Sequence, residues 1–222
     1  MLQKTTLKFL RDLKKNNTKQ WFDLHRPAYE EAKNDFELFV QALITGQGKK
    51  DKHIGSLKPK ECVFRINRDI RFSKDKSPYK PNFGASISRG GKKSSFAGYY
   101  FHLEPGQSFA GGGLWMPSAP ELKKIRQEID YGFAQFSRLI SSKKFKAMFG
   151  DLSMDDAFRL SKVPQGFEKD HPGVEYLKLK SFVAFRPLTD KELLSGDLLR
   201  ISLEAFEILR PVLEFLNAAL ES

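Results

Sequence analysis

The sequence has a single cysteine, Cys62, in 222 residues, so no internal disulfide can form. Its four histidines, His25, His53, His102 and His171, lie far apart and give no zinc-ligand spacing, so neither a metal nor a cofactor is called for. No apolar run approaches the roughly 18 residues that a membrane span needs. The opening MLQKTTLKFLRDLKKNN alternates charged and apolar residues, without the unbroken apolar core of a signal peptide. GxSxG, HExxH and P-loop patterns are absent, and no paired carboxylates fall on one face, so no motif carries a catalytic class. Acidic residues are the minority charge, 27 Asp and Glu against 38 Lys and Arg. Together these absences point to a soluble cytoplasmic protein with no membrane partner.

What is present is a basic, phenylalanine-rich chain. A net charge of +11 favours acidic partners, either an anionic small molecule or nucleic acid, although the scattered lysine pairs read equally as solvated surface. The 20 phenylalanines are spread over the whole length, which argues for one domain over residues 1–222. Nothing in the sequence sets an oligomeric state.

Periodicity gives the architecture. Leu7, Leu10 and Leu13 predict a first helix opened by Thr5. A second pattern starts at Asn17, with Gln20 at the capping-box position, and Pro27 predicts a kink or two abutting helices. Residues 46–60 read as an exposed loop. From Cys62 the period becomes two, and CVFRINRDIRF predicts a strand with Phe64, Ile66, Ile70 and Phe72 on its apolar side. Strands follow over 82–90 and 97–115, the second a hairpin about Pro105-Gly106 with Tyr100, His102 and Glu104 on one face. Ser118-x-x-Glu121 and Thr189-x-x-Glu192 predict capped helices, Ser153-x-x-Asp156 a short one, and SFVAFRPL (181–188) a late strand. In the last helix Pro211 predicts a bend or a new segment. Helices, then strands, then helices make an α+β fold, a mostly antiparallel central sheet with N-terminal and C-terminal helices packed on it.

The densest chemistry is RINRDIRFSKDKSPYK, residues 65–80. On a regular strand Arg65, Asn67, Asp69 and Arg71 share one face, two guanidinium forks flanking an amide and a carboxylate. Such a row can hold a phosphate or carboxylate while Asp69 orients an arginine. Arg68 falls on the apolar side, implying a bulge, a snorkelled side chain or a buried pair. Lys74, Lys76 and Lys80 add cations, and Pro78 places Tyr79 and Lys80 near the next strand. Arg186 joins the set if the late strand borders the first. The same residues also fit a salt-bridged sheet face or a nucleic-acid groove. Tyr100 and His102 share a face and are the acid/base candidates of an enzyme, as is His171 in its Asp170-His171-Pro172 loop. The run Gly111–Gly113 calls either for a close neighbour, backbone or a ring such as Tyr100 or Trp115, or for a ligand lying on bare main chain.

FRINRDIRFSKDKSPYKPNFGA, GYYFHLEPGQSFAGGGLWMP and PQGFEKDHPGVEYLKLKSF resemble successive blocks of a family of bacterial and fungal proteins, domain of unknown function 2461. The resemblance extends from TLKFLRDLKKNNTKQWFDLHR to the last helix. It implies a full-length α+β domain and supplies no activity and no catalytic residues. The reading that results is an anion-binding protein, with an enzyme on an anionic substrate and a nucleic-acid or protein interaction module as alternatives.

Overall fold

The computed structural model describes residues 1–221. Its sheet is antiparallel with strand order β1-β2-β3-β4, from Phe83–Ile87 (β1), Gly98–Leu103 (β2), Ser108–Leu114 (β3) and Phe182–Leu188 (β4). Helices precede and follow the strands, and the fold is α+β. The chain divides into two compact units: Met1–Lys93 with Tyr100–Ala110 and Pro187–Leu203, and Ser94–Tyr99 with Gly111–Arg186 and Glu204 onward.

In the first unit, α1 (Lys4–Lys15) buries Leu7, Leu10 and Leu13 as their spacing predicts, but it starts one residue before Thr5. Its entry is set from a distance, because the Gln3 amide and the Thr6 hydroxyl both donate to Asp35, at 2.9 and 2.5 Å. The second pattern is two abutting helices, α2 (Lys19–Leu24) and α3 (Arg26–Gln47), with Pro27 in the first turn of α3, where its missing N–H costs nothing. The cap of α2 is Thr18, whose hydroxyl accepts from the Trp21 amide at 3.2 Å, so Asn17 is free for another task. The loop expected over 46–60 is shorter than its composition suggests: α3 runs to Gln47, Ile54 is buried, and α4 (Pro59–Cys62) follows. Phe36 and Phe39 of α3 lie on Phe83 and Phe101 with ring centroids 4.8–6.2 Å apart, joining helix to sheet through aromatic area. Thr189 caps α9 (Asp190–Leu193), and the Leu193 carbonyl accepts from the Leu2 amide at 3.2 Å.

The strand expected over 62–72 does not form. Val63 bridges Ala85 and Asn67 bridges Tyr79 as isolated pairs, and of the four residues assigned to an apolar side only Ile66 is buried, while Phe72 is 95% exposed. The Arg68 amide donates to the Pro78 carbonyl and the Lys80 amide to that of Ile66, at 2.9 and 2.8 Å. Residues 66–68 and 78–80 therefore make a short two-stranded arm, which spends the backbone bonds that a longer strand needs.

In the second unit, Ser118 opens α5 (Ala119–Tyr131) with its amide bonded to Glu121 at 2.7 Å. Gly132 separates α5 from α6 (Phe133–Ile140), and α7 (Lys143–Phe149) follows. The short helix expected from Ser153 is a single 3-10 turn, Asp156–Phe158, capped by Asp155; α8 (Val174–Leu177) comes next. The last helix, α10 (Leu198–Glu221), lies partly in each unit and runs through Pro211 without a break. Leu209, Val212, Leu213 and Leu216 are buried around that position, and their packing offsets the backbone bond that proline removes.

Backbone, and not a ring, lies closest to the Cβ positions of Gly111–Gly113. Tyr100 instead covers Gly84, where a Cβ would meet its hydroxyl at 2.4 Å, and Trp115 packs edge-on against Phe158. The three glycines abut neighbouring backbone. A Cβ would come within 2.0–2.1 Å of the carbonyl oxygens of Ala184, Gly98 and Phe182, and Gly112 and Gly113 adopt φ of 151° and 133°. No other residue type fits that combination.

Candidate functional site

The arm is fixed at its root by Asn17. The Asn17 amide nitrogen donates to the Tyr79 carbonyl at 2.9 Å, and its oxygen accepts from the Tyr79 amide at 3.0 Å, so one side chain stands in for a strand partner. Buried Tyr79 stacks on Phe22 with centroids 4.0 Å apart. Tyr79 is thus an anchor in this geometry, one step from the cations.

Beyond the root, residues 69–77 form a loop that consumes much of its own charge. Arg71 grips Asp69 with two nitrogens, at 3.0 and 2.6 Å, and this pairing holds the Asp69 carboxyl below its ordinary range. Arg68 pairs with Asp75 across the loop and has a side chain only 25% exposed. Asp75 also accepts from the Ser77 amide and hydroxyl at 2.9 and 2.7 Å; those bonds, then Arg68, hold its carboxyl well below the usual range. Lys76 donates to the Ile70 carbonyl at 3.0 Å. The uninterrupted row Arg65, Asn67, Asp69, Arg71 is absent because the paired arm ends at Arg68 and the chain turns over residues 70–73.

Of the three cations of this stretch that remain, Arg65, Lys74 and Lys80, the first and the last lie close together. Arg65 and Asn67 are exposed, and neither side chain has a hydrogen-bond or ion-pair partner among the described residues. Lys80 is half-buried, donates to the Arg65 carbonyl at 3.1 Å and lies 5.7 Å from the centre of the Phe64 ring. Burial, and then the Arg65 charge, push its ammonium below the ordinary lysine value.

Phe64 also faces Tyr100, ring centroids 6.5 Å apart. There the alternation of β2 puts Tyr100, His102 and Glu104 on one side. The Tyr100 Oη is 3.3 Å from His102 Nδ1, His102 Nε2 is 3.3 Å from Glu104 Oε2, and Glu104 Oε1 accepts from Lys14 Nζ at 3.0 Å. Phe109 of β3 stacks flat on the imidazole at 4.7 Å. Burial pushes the Tyr100 hydroxyl up to about 12; it pushes His102 down, against the opposing pull of Glu104. The hairpin end is rigid: Ser108 Oγ bonds both the amide and the carbonyl of Glu104, and Asp190 accepts from the Gly106 amide at 2.8 Å while pairing with Arg11. Gly106, at φ 79°, fills the position of a type II turn that demands glycine.

The remaining candidates lie in the second unit. His171 Nδ1 accepts from the Gly173 amide at 3.0 Å, and Nε2 faces Asp130 at 3.6 Å, so the histidine is held by its own loop and α5. Arg186 sits on β4, which pairs with β3 and does not border residues 62–72. Glu104, Lys14, Phe64 and Asn17 complete the local geometry. Of these, only Glu104 has a sequence signal, its shared parity with Tyr100 and His102.

A family model described as conserved hypothetical protein (DUF2461) matches residues 5–215. No curated protein and no solved structure matches the chain.

Proposed function

From the premise that this chain belongs to the conserved hypothetical protein family DUF2461, which brings no reaction with it, we propose that the protein binds a phosphate- or carboxylate-bearing ligand. The observation that supports this is the pair Arg65 and Lys80. They are close enough for the arginine charge to lower the lysine ammonium, and Lys80 meets a carbonyl but no carboxylate. Asp69, an acid that feels the Arg65 charge, is already gripped by Arg71, so the two cations stay incompletely neutralised and a bound anion relieves their repulsion. Asn67 adds an uncommitted amide, while Arg68, Asp69, Arg71 and Lys76 shape the loop around it. Arg186, Tyr79 and His171 take no direct part in this reading.

A cytoplasmic location accords with the lone thiol, which is buried and pushed up to about 11 chiefly by that burial, and with the lack, among the described residues, of a helix long and apolar enough to cross a membrane. The test is thermal denaturation with inorganic phosphate and with citrate. A ligand at a hundred times its Kd stabilises by about 2.7 kcal/mol, a readily measured shift. The stabilisation should vanish in Arg65→Ala and Lys80→Met and persist in Arg71→Ala. Equal stabilisation of all three variants would remove the assignment.

A further inference from the structure

The side chains of Glu104, His102 and Tyr100 form a connected chain that anion binding does not require. Glu104 pairs with the Lys14 ammonium at 3.0 Å, so as a carboxylate it has no hydrogen to offer His102. In their 3.3 Å contact, Nε2 must therefore carry the hydrogen. A neutral imidazole protonated at Nε2 has a bare Nδ1, and the Tyr100 hydroxyl, 3.3 Å away, becomes its donor. With its hydrogen turned inward, the phenolic oxygen has lone pairs left for an outside donor. Phe64 links that surrounding to the cations, lying against Tyr100 on one side and under Lys80 on the other.

We infer that Glu104, His102 and Tyr100 form a proton relay that accepts a proton from a hydroxyl of an anionic ligand, whose charged group rests on Arg65 and Lys80. The ligand's position rests on the anion-binding reading; the relay itself does not. In the step, the ligand O–H bond breaks and its proton joins the Tyr100 oxygen, while the phenol's own proton moves to His102 Nδ1. The ligand oxygen keeps the electron pair, and the imidazolium that forms lies beside the Glu104 carboxylate. The ligand class is a hydroxy acid or a phosphate ester with a free hydroxyl. Tyr100 touches the ligand; His102 receives the proton through it, and Glu104 is a positioning residue. The groups facing His102 are Tyr100 on its own strand, Glu104 just past the end of that strand, Lys14 of α1 through Glu104, and the uncharged Phe109 ring of β3. Burial depresses protonation of His102 and so keeps Nδ1 available as an acceptor at neutral pH.

Two measurements on the full chain test this. Nitrogen-15 NMR of the imidazole should show neutral His102 as the Nε2–H tautomer. Glu104→Gln should lower its pKa by removing the carboxylate, and the isosteric Tyr100→Phe should raise it by removing a donor to the neutral form. An Nδ1–H tautomer, or shifts of one sign in both variants, overturns the relay. In calorimetry, glycerol phosphate should bind about tenfold tighter than methyl phosphate, one hydrogen bond's worth, and Tyr100→Phe should abolish that preference while still binding methyl phosphate. A preference that survives in Tyr100→Phe overturns the ligand class. If neither phosphate binds while the NMR shifts are opposite in sign, the anion-binding reading and the ligand class fall and the relay stands.

Discussion

Replacing Asn17 with alanine should loosen the arm without touching any cation. The wild-type side chain makes two hydrogen bonds to the Tyr79 backbone, at 2.9 and 3.0 Å, in a part-buried setting. At about 0.5–1.5 kcal/mol each, they contribute about 2 kcal/mol together, and the stranded Tyr79 amide and carbonyl keep the loss near that figure. For a chain of this size each kcal/mol moves Tm by about 2–4 °C, so Asn17→Ala should melt about 4–8 °C lower. Asn17→Asp keeps the acceptor for the Tyr79 amide and loses the donor to its carbonyl, and should fall between the two. The assay is urea unfolding followed by circular dichroism, read at constant m-value so that stability alone is compared. Lys80 follows Tyr79 directly, so phosphate-induced stabilisation should weaken in the same variant. A stability change below about 0.5 kcal/mol would mean that the clamp contributes nothing beyond what water supplies, and the argument would fail.

The glycine run makes a sharper demand. Gly112→Ala would drive a methyl to 2.1 Å from the Gly98 carbonyl at a φ of 151°, and should cost more than the roughly 1–3 kcal/mol of ordinary overpacking; wild-type yield and melting temperature would count against the clash. We also propose that residues 1–222 unfold as one domain, since β2, β3 and β4 each supply residues to both compact units. Scanning calorimetry should give one transition with equal calorimetric and van't Hoff enthalpies, and two resolved peaks would separate the units.

The features legible in the sequence are those whose cause lies within a few residues. Glu121 bonding back to Ser118, Glu192 to Thr189, and the Pro105-Gly106 turn that brings Phe109 onto His102 are all set by local spacing. The late strand at 182–188 was readable because its apolar run and flanking turn residues mark it without reference to a partner. The arm was not. Alternation over 62–72 was real, yet which backbone it pairs with depends on Pro78, Lys80 and Asn17, and periodicity carries no record of a partner 62 residues away. Arg68 shows both sides of this limit. Its position on the apolar side signalled a bulge, a snorkelled side chain or a buried pair without choosing among them, and Asp75 as the partner depends on how the intervening loop closes. The start of α1 is similar: Thr5 looked like a cap, and the Asp35 carboxylate of α3 decides the entry instead. Pro211 starts no new segment, because a helix break is a local tendency and the buried side chains around it outweigh that tendency.

A second asparagine clamp lies in the other unit, where Asn217 accepts from the Ala97 amide at 2.8 Å and donates to its carbonyl at 3.1 Å. The partners are 120 residues apart, so on a ribosome adding about 5–20 residues per second the entrance to β2 waits roughly 6–24 s for its partner to be made. Through that interval the Ala97 amide and carbonyl lack this partner, and the clamp closes only after α10 has been synthesised through Asn217. For this part of the protein, the order of synthesis sets the earliest time at which the strand's entrance can be secured.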